Sequence, residues 1–338
     1  MRAPAAPVVI TVVTSLMLVG CDRESTPHGH PSVPAARDSA EGASTRSVTK
    51  SGYADVNGGH HYYELRGDLT SGKTPLVVLH GSLMSADAMA PLVERFARSR
   101  PVIALDARGH GRTRDIPGPI TYELLADDVA GVLAALGVAR ADVLGYSMGG
   151  TTAIALAVRH PERVNKVVSL SGPYSPEGWY PEVRKGFDQW SPTMLAGTGL
   201  EAEYKRLSPT PDGLLTLIPK LKAMETAPWG IPEERVRALG ARTMLVVGDA
   251  DGLQLDYALK LFALRGGGDR DAAVKGFLAD APRARLAVLP ATSHVGMMAR
   301  PQLIVDVVTP FLDDEKPPMP DNFLKPGPGE AATSGSGP

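Results

Sequence analysis

The sequence predicts an α/β fold in which a mostly parallel sheet carries helices on both faces. Three observations lead there. Short runs are almost wholly apolar and rich in Val, Leu and Ile; helical patterns lie between them; and a glycine-flanked serine stands where one run gives way to a helix. Continuous apolar runs suit strands buried on both faces of a parallel sheet. Regular alternation with helices suits a sheet covered on both sides.

Taken in order, residues 61–65 alternate like an exposed strand. Residues 75–80, 102–106, 141–146, 164–170, 243–247 and 285–289 are the apolar strands. Helical patterns occupy 122–136 and 151–160, the second stopped by Pro161. Residues 174–232 interrupt the alternation and hold all three tryptophans, Trp179, Trp190 and Trp229, with Tyr174, Tyr180, Phe187 and Tyr204. Such an insert should sit above the strand ends as a helical lid. Its aromatics either form a private core or, through Trp179, Trp190 and Tyr204, line a substrate pocket.

The composition narrows the function. Hydrophobic residues make up 43% and charged residues 21% of 338, which excludes a wholly disordered chain and a multi-span membrane protein. The formal charge is −2, from 35 basic and 37 acidic residues, so nucleic-acid binding has no electrostatic support. With Cys21 the sole cysteine, an internal disulfide and a multi-thiolate zinc site are both excluded. No phosphate-loop, H-E-x-x-H or calcium-loop motif occurs, and no cofactor is expected.

The ends read as separate from the fold. Arg2, the apolar run 8–19 and the charges from Asp22 onward have the shape of a secretory signal. Leu18-Val19-Gly20-Cys21 resembles the lipobox of bacterial lipoproteins, which implies a signal peptide over 1–20, cleavage before Cys21 and acylation of its thiol. The expected location is the cell envelope, with the body on its periplasmic or extracellular face. Residues 21–50 are too poor in large apolar side chains to offset their ordering entropy and read as a tether reaching roughly 30 Å. Residues 316–338, rich in Pro and Gly, read as a disordered tail. The folded body is then 51–315.

Gly145-Tyr146-Ser147-Met148-Gly149 fits G-x-S-x-G in the strand–turn–helix context that the motif needs. A serine hydroxyl needs a base to act as a nucleophile, and the base needs an acid to fix its tautomer. His160 lies at the far end of the helix that Ser147 begins, which leaves His294 as the base. The acid should follow strand 243–247, where Asp251 is favoured over Asp249 because a loop needs some length to turn back. Asp249 is then a turn former bonding its own backbone. The amides of Met148 and Ser82 are the expected oxyanion donors. His80 is expected to order its loop.

His80-Gly81-Ser82, the run from Asp106 to Gly111, the Gly145–Gly150 elbow, Gly248–Asp251 and His294 together resemble the α/β-hydrolase superfamily over residues 51–314. The resemblance implies an eight-stranded, mostly parallel sheet and hydrolytic chemistry at Ser147, which departs from the aspartate-nucleophile branches. The expected function is a lipid-anchored serine hydrolase of a carboxylic ester or lactone. The alternatives are a carbon–carbon bond hydrolase or perhydrolase with the same triad, or a binding protein on the same scaffold.

Overall fold

The computed structural model describes residues 50–278 and 280–318; the expected signal peptide, Cys21, most of the tether and nearly all of the expected tail lie outside them. Eight strands are present: β1 (Lys50–Val56), β2 (Gly59–Arg66), β3 (Leu76–Leu79), β4 (Val102–Leu105), β5 (Ala141–Tyr146), β6 (Val164–Leu170), β7 (Arg242–Ala250) and β8 (Ala284–Ser293). The helices are α1 (Ala90–Phe96), α2 (Tyr122–Ala135), α3 (Met148–Arg159), α4 (Pro181–Phe187), α5 (Gly199–Leu207), α6 (Leu214–Thr226), α7 (Glu233–Arg237), α8 (Leu255–Leu264), α9 (Arg270–Lys275) and α10 (Pro301–Leu312).

The strands form one sheet in the order β1-β2-β4-β3-β5-β6-β7-β8. β1 and β2 pair antiparallel, β2 meets β4 antiparallel, and the rest are parallel. The apolar strands divide their side chains between two layers, as a period of two requires. Val77, Leu79, Ile103, Leu105, Val143 and Val167 pack with α2, α3 and the insert. Leu76, Val78, Val102, Ala104, Leu144 and Val168 pack with α1 and α10 on the other face. Each fully buried Leu or Val contributes about 1.5–3 kcal/mol, so this central block dominates the stabilisation.

Four boundaries differ from the sequence reading. The body begins at Lys50, in β1, a strand the apolar pattern does not disclose because only Ala54 of its seven residues is buried. The Asn57-Gly58 turn, with φ of 50° and 78°, joins it to β2. α3 starts three residues earlier than expected, directly after Ser147. β7 and β8 run on to Ala250 and Ser293, which pair with each other, so the strands themselves carry the chain to Asp251 and His294.

The insert between β6 and β7 is helical and holds α4, α5 and α6, with α7 following it before β7. Polar contacts fasten it to the body. Lys220 Nζ lies 2.7 Å from both oxygens of Asp115, and the Tyr204 hydroxyl donates to the Gly109 carbonyl at 3.2 Å. The Tyr122 hydroxyl donates to Glu225 Oε1 at 2.7 Å. Where the insert returns to the sheet, the buried Arg265 guanidinium donates to the carbonyls of Val236, Arg237, Leu239 and Ala241 at 2.8–2.9 Å, and to Thr243 Oγ1 at 3.1 Å.

A charged clasp holds the chain just past α10. Lys166 Nζ, on β6, donates to Leu312 O and Asp314 Oδ2, both at 2.7 Å, and is almost wholly buried. Arg100 pairs with Asp313, and Arg242 pairs with Asp314. Lys166, Arg242 and Arg285 also surround the buried Phe311 ring at 5.6–6.0 Å.

Two predictions follow from these contacts. Arg265→Leu strands several buried carbonyls and should lower stability by at least about 3 kcal/mol, measured by urea unfolding. Glu225 is the subject of the second: burial pushes its carboxyl from 4.5 up to about 7, against the Tyr122 hydrogen bond. Stability resting on its neutral form is fully present below about pH 4.5 and is lost as pH rises through 7. Glu225→Gln should therefore gain on wild type by about 2 kcal/mol between pH 5.5 and 8.5 in unfolding experiments.

Candidate active site

Ser147 stands between β5 and α3 at φ 53° and ψ −116°. For a residue with a Cβ this backbone is strained, at a cost of order 1–3 kcal/mol. Two bonds hold it there: its amide donates to Leu170 O at 2.8 Å, and its carbonyl accepts from the Thr151 amide at 3.1 Å. The flanking glycines are required by contact. A Cβ on Gly145 would lie 1.9 Å from Gly149 O, and one on Gly149 would lie 2.4 Å from Leu79 O. The first turn of α3 thus rests directly on the end of β3.

His294 follows β8 and meets the serine. Its Nε2 is 3.0 Å from Ser147 Oγ, and its Nδ1 is 2.8 Å from Asp251 Oδ1. An ionised carboxylate only accepts, so Nδ1 carries the proton and Nε2 accepts from the serine hydroxyl. The side chain of Asp251 is fully buried, whereas that of His294 is 24% exposed. Burial opposes ionisation of Asp251. Hydrogen bonds from His294, from Ser171 Oγ at 2.5 Å and from the Leu253 amide at 3.0 Å, with the attraction of His294, outweigh it and hold the carboxyl below its ordinary value.

Asp249 faces elsewhere. Its two oxygens accept from the amides of Ala291 and Thr292 at 2.8 and 3.0 Å. These are backbone groups of the adjacent strand β8, so Asp249 does more than the local turn expected of it: it shapes the approach to His294. His160 is remote from the serine and pairs with Asp127 at the end of α3.

The turn after β3 presents Ser82. Met84 N–H closes onto Gly81 O at 3.2 Å, and Leu83 takes a φ of 63°. Neither the Ser82 amide nor the Met148 amide has an acceptor among the described residues. At Met148 this is the ordinary state of a helix N-terminus, which also favours negative charge. The packing of Gly149 against Leu79 and His80 brings the two segments together. His80 braces this turn: Nδ1 lies 2.8 Å from Gly81 O, and Nε2 accepts the Ala107 amide at 3.0 Å. Burial lowers it to about 4, so it is neutral at pH 7. Asp106 braces the next turn by accepting the Ala86 and Arg112 amides, both at 2.7 Å.

Of the three insert aromatics, only Trp179 reaches the triad. Its ring packs edge-on to the His294 imidazole, with centroids 5.3 Å apart and planes at 82°. Trp190 is two ring contacts away from Trp179, through Phe187. Tyr204 is buried against the Gly109 turn. Two neighbours of Ser147, His294 and Asp251, and one residue that fastens the lid beside them, escaped the sequence reading. Tyr146 donates its hydroxyl to His294 O at 2.9 Å and packs its ring 5.2 Å from the imidazole. Ser171 bonds Asp251, and Gln254 bonds the insert. Position alone gave a signal for Tyr146, inside the motif, and for Ser171, one residue past β6; Gln254 carries none. Among the described residues, no three His, Cys, Asp or Glu side chains are grouped to hold a metal ion.

Comparison with known proteins agrees with this architecture. The family model for the alpha/beta hydrolase fold matches residues 74–205. The proposed carbamate hydrolase RutD of Caulobacter vibrioides is 36% identical over 142 residues, 42% of this chain and 51% of its own. The 2-hydroxymuconate semialdehyde hydrolase of Pseudomonas sp. (strain CF600) is 41% identical over 100 residues, 28% of this chain and 35% of its own. The chain thus spans about half or less of the length of these relatives. Among solved structures, the enol-lactonase of Burkholderia xenovorans LB400 superposes with a TM-score of 0.57 at 23% identity, covering 77% of this chain and 99% of that one. A thermophilic esterase of Thermogutta terrifontis does so with a TM-score of 0.60 at 19% identity, covering 78% and 98%. At these identities the structures speak for the fold alone. The sheet order and the serine elbow are those of the α/β-hydrolase fold, and the family model for that fold matches the part of the chain from β3 through the elbow into the insert.

Proposed function

We propose that the protein is a serine hydrolase of carboxylic esters or lactones. The observation that carries this reading is the unbroken hydrogen-bonded line from Ser147 through His294 to Asp251. In the proposed cycle Ser147 Oγ attacks the substrate carbonyl carbon as His294 Nε2 takes the hydroxyl proton. The oxyanion is held by the Ser82 and Met148 amides, each contributing about 3–4 kcal/mol. Collapse breaks the ester C–O bond, and the alcohol leaves with the proton from His294. Water then attacks the acyl-enzyme with His294 again as base, releasing the acid and restoring Ser147. Asp251 holds the imidazole and balances its charge. A lactone differs only in that its alcohol stays attached to the acid.

One relative, the 2-hydroxymuconate semialdehyde hydrolase, favours a second reading: cleavage of a carbon–carbon bond with the same three residues. Turnover of p-nitrophenyl esters and lactones, set against a dienol ring-fission product, separates the two. Ser147→Ala and His294→Ala should each lower turnover by about a thousandfold or more with the fold intact. Asp251→Asn should come close. Asp249→Asn, whose bonds go to backbone amides, should cost about tenfold or less. A fluorophosphonate probe should label Ser147; a binding protein on this scaffold would stay unlabelled.

We further propose that the body is tethered to a membrane through a lipid on Cys21. Support comes from Leu18-Val19-Gly20-Cys21 and the charges behind it. Among the described residues, no helix is long and apolar enough to cross a membrane. One acyl chain binds only marginally, at about 10⁴ M⁻¹, so stable anchoring needs the several chains a lipobox implies. Mass spectrometry of the mature N-terminus should find a lipid-modified Cys21, and Cys21→Ser should abolish membrane fractionation.

A further inference from the structure

We propose that Trp179 is a positioning residue for His294, locked in place by Gln254, so that the first segment of the lid completes the housing of the base. This rests on the triad reading above and assigns Trp179 a different task from lining a substrate pocket.

The indole is 4% exposed, which leaves little surface for a substrate to touch. What it does touch is the imidazole, edge-on at 5.3 Å. Its Nε1 is buried with no acceptor among the described residues. The indole thus meets His294 through its ring and not through its N–H, a contact that a phenylalanine ring could also make. The two hydrogen bonds of the imidazole set its tautomer, but a ring with a partly open side can still tip out of line. Tyr146, from within the motif, restrains it with its ring, and Trp179 is the restraint that comes from the lid.

The backbone around Trp179 is stitched to the loop that carries the acid. Trp179 forms an antiparallel bridge with Leu253, two residues after Asp251. Tyr180 N–H donates to Gly252 O at 3.1 Å, and Gln254 N–H donates to Gly178 O at 2.8 Å. The Gln254 side chain amide then donates to two lid carbonyls, Glu177 O at 2.8 Å and Trp179 O at 2.9 Å. Asp251 and Trp179, which both contact His294, are therefore parts of one hydrogen-bonded unit. Loosening the lid segment frees the ring and disturbs the acid together.

The test measures steady-state kinetics on p-nitrophenyl acetate and octanoate for the full chain and its variants. Trp179→Ala should lower kcat on acetate by about tenfold or more while KM stays within about twofold. Trp179→Phe should keep kcat within about threefold and melt no lower than wild type. Gln254→Ala should lower kcat in the same direction, and the Trp179→Ala/Gln254→Ala double variant should fall little below Trp179→Ala alone, because both act on one unit. Lys205→Ala, on the exposed face of α5, serves as the control and should match wild type. A raised KM or a changed chain-length preference with kcat preserved would show a pocket wall and overturn the proposal; so would unchanged kinetics in Trp179→Ala. A readout without turnover keeps the two readings apart. The low-field imidazole Nδ1 proton resonance, identified by its loss in His294→Ala, should shift or broaden in Trp179→Ala and not in Lys205→Ala. If wild type hydrolyses no ester and Ser147 takes no probe, the proposed function fails, and an unchanged proton resonance in Trp179→Ala still overturns the positioning role independently.

Discussion

Ser147 can hold a left-handed backbone because β5 lies in the middle of the sheet, with ordered chain on both sides. β3 supplies the carbonyl of Leu79 against Gly149, and β6 supplies the carbonyl of Leu170 to the Ser147 amide. Beyond β6, Gly172 packs so closely on Gly150 that a Cβ there would lie 2.5 Å from its carbonyl carbon. The strain of one residue is thus spread over three strands whose side chains are almost wholly buried. An edge strand could not impose it. The same approach lays the N-terminus of α3 beside the Ser82 turn, so the exposure of the hydroxyl and the placing of two free amides have one cause.

Asp251 and His294 are held differently, at the ends of β7 and β8 and beyond the tightest packing. Two aspartates two residues apart divide the work there. Asp249 is exposed and spends both oxygens on the backbone of the neighbouring strand, while Asp251 is buried and turns one oxygen to His294. Burial decides between them. A carboxylate in water gains little from pairing with an imidazole, whereas one fully enclosed and bonded by Ser171 and Leu253 is held ionised and in place.

Much of this was legible in the sequence, for a physical reason. Strands buried on both faces must be apolar throughout, so β3 to β6 announce themselves nearly to the residue. β1 does not, because it is an edge strand with one buried residue, and its only mark was the Asn-Gly turn that follows it. Ser147, His294 and Asp251 could be picked out from motif and chain order, and their side chains lie in one hydrogen-bonded line. The aromatics of the insert could be counted but not aimed: composition does not distinguish Trp179, edge-on to His294, from Tyr204, sealed against Gly109. Ser171 is marked only by its place just past β6 and Gln254 by nothing, since their roles depend on partners 80 and 75–77 residues away.

The clasp beyond α10 has a consequence for where this polypeptide can be cut. α10 ends by hydrophobic criteria at Leu312, and a truncation designed on apolar content alone would stop there. Such a cut would leave the Lys166 ammonium buried with one backbone oxygen in place of an oxygen and a carboxylate, and would deprive Arg100 and Arg242 of Asp313 and Asp314. A buried cation that has lost its hydrogen-bonded carboxylate beside a central strand is a heavier burden than a shortened helix. The functional edge of the body is therefore electrostatic, and fusions, tags or protease sites belong after residue 315, where the chain has already delivered its two anions.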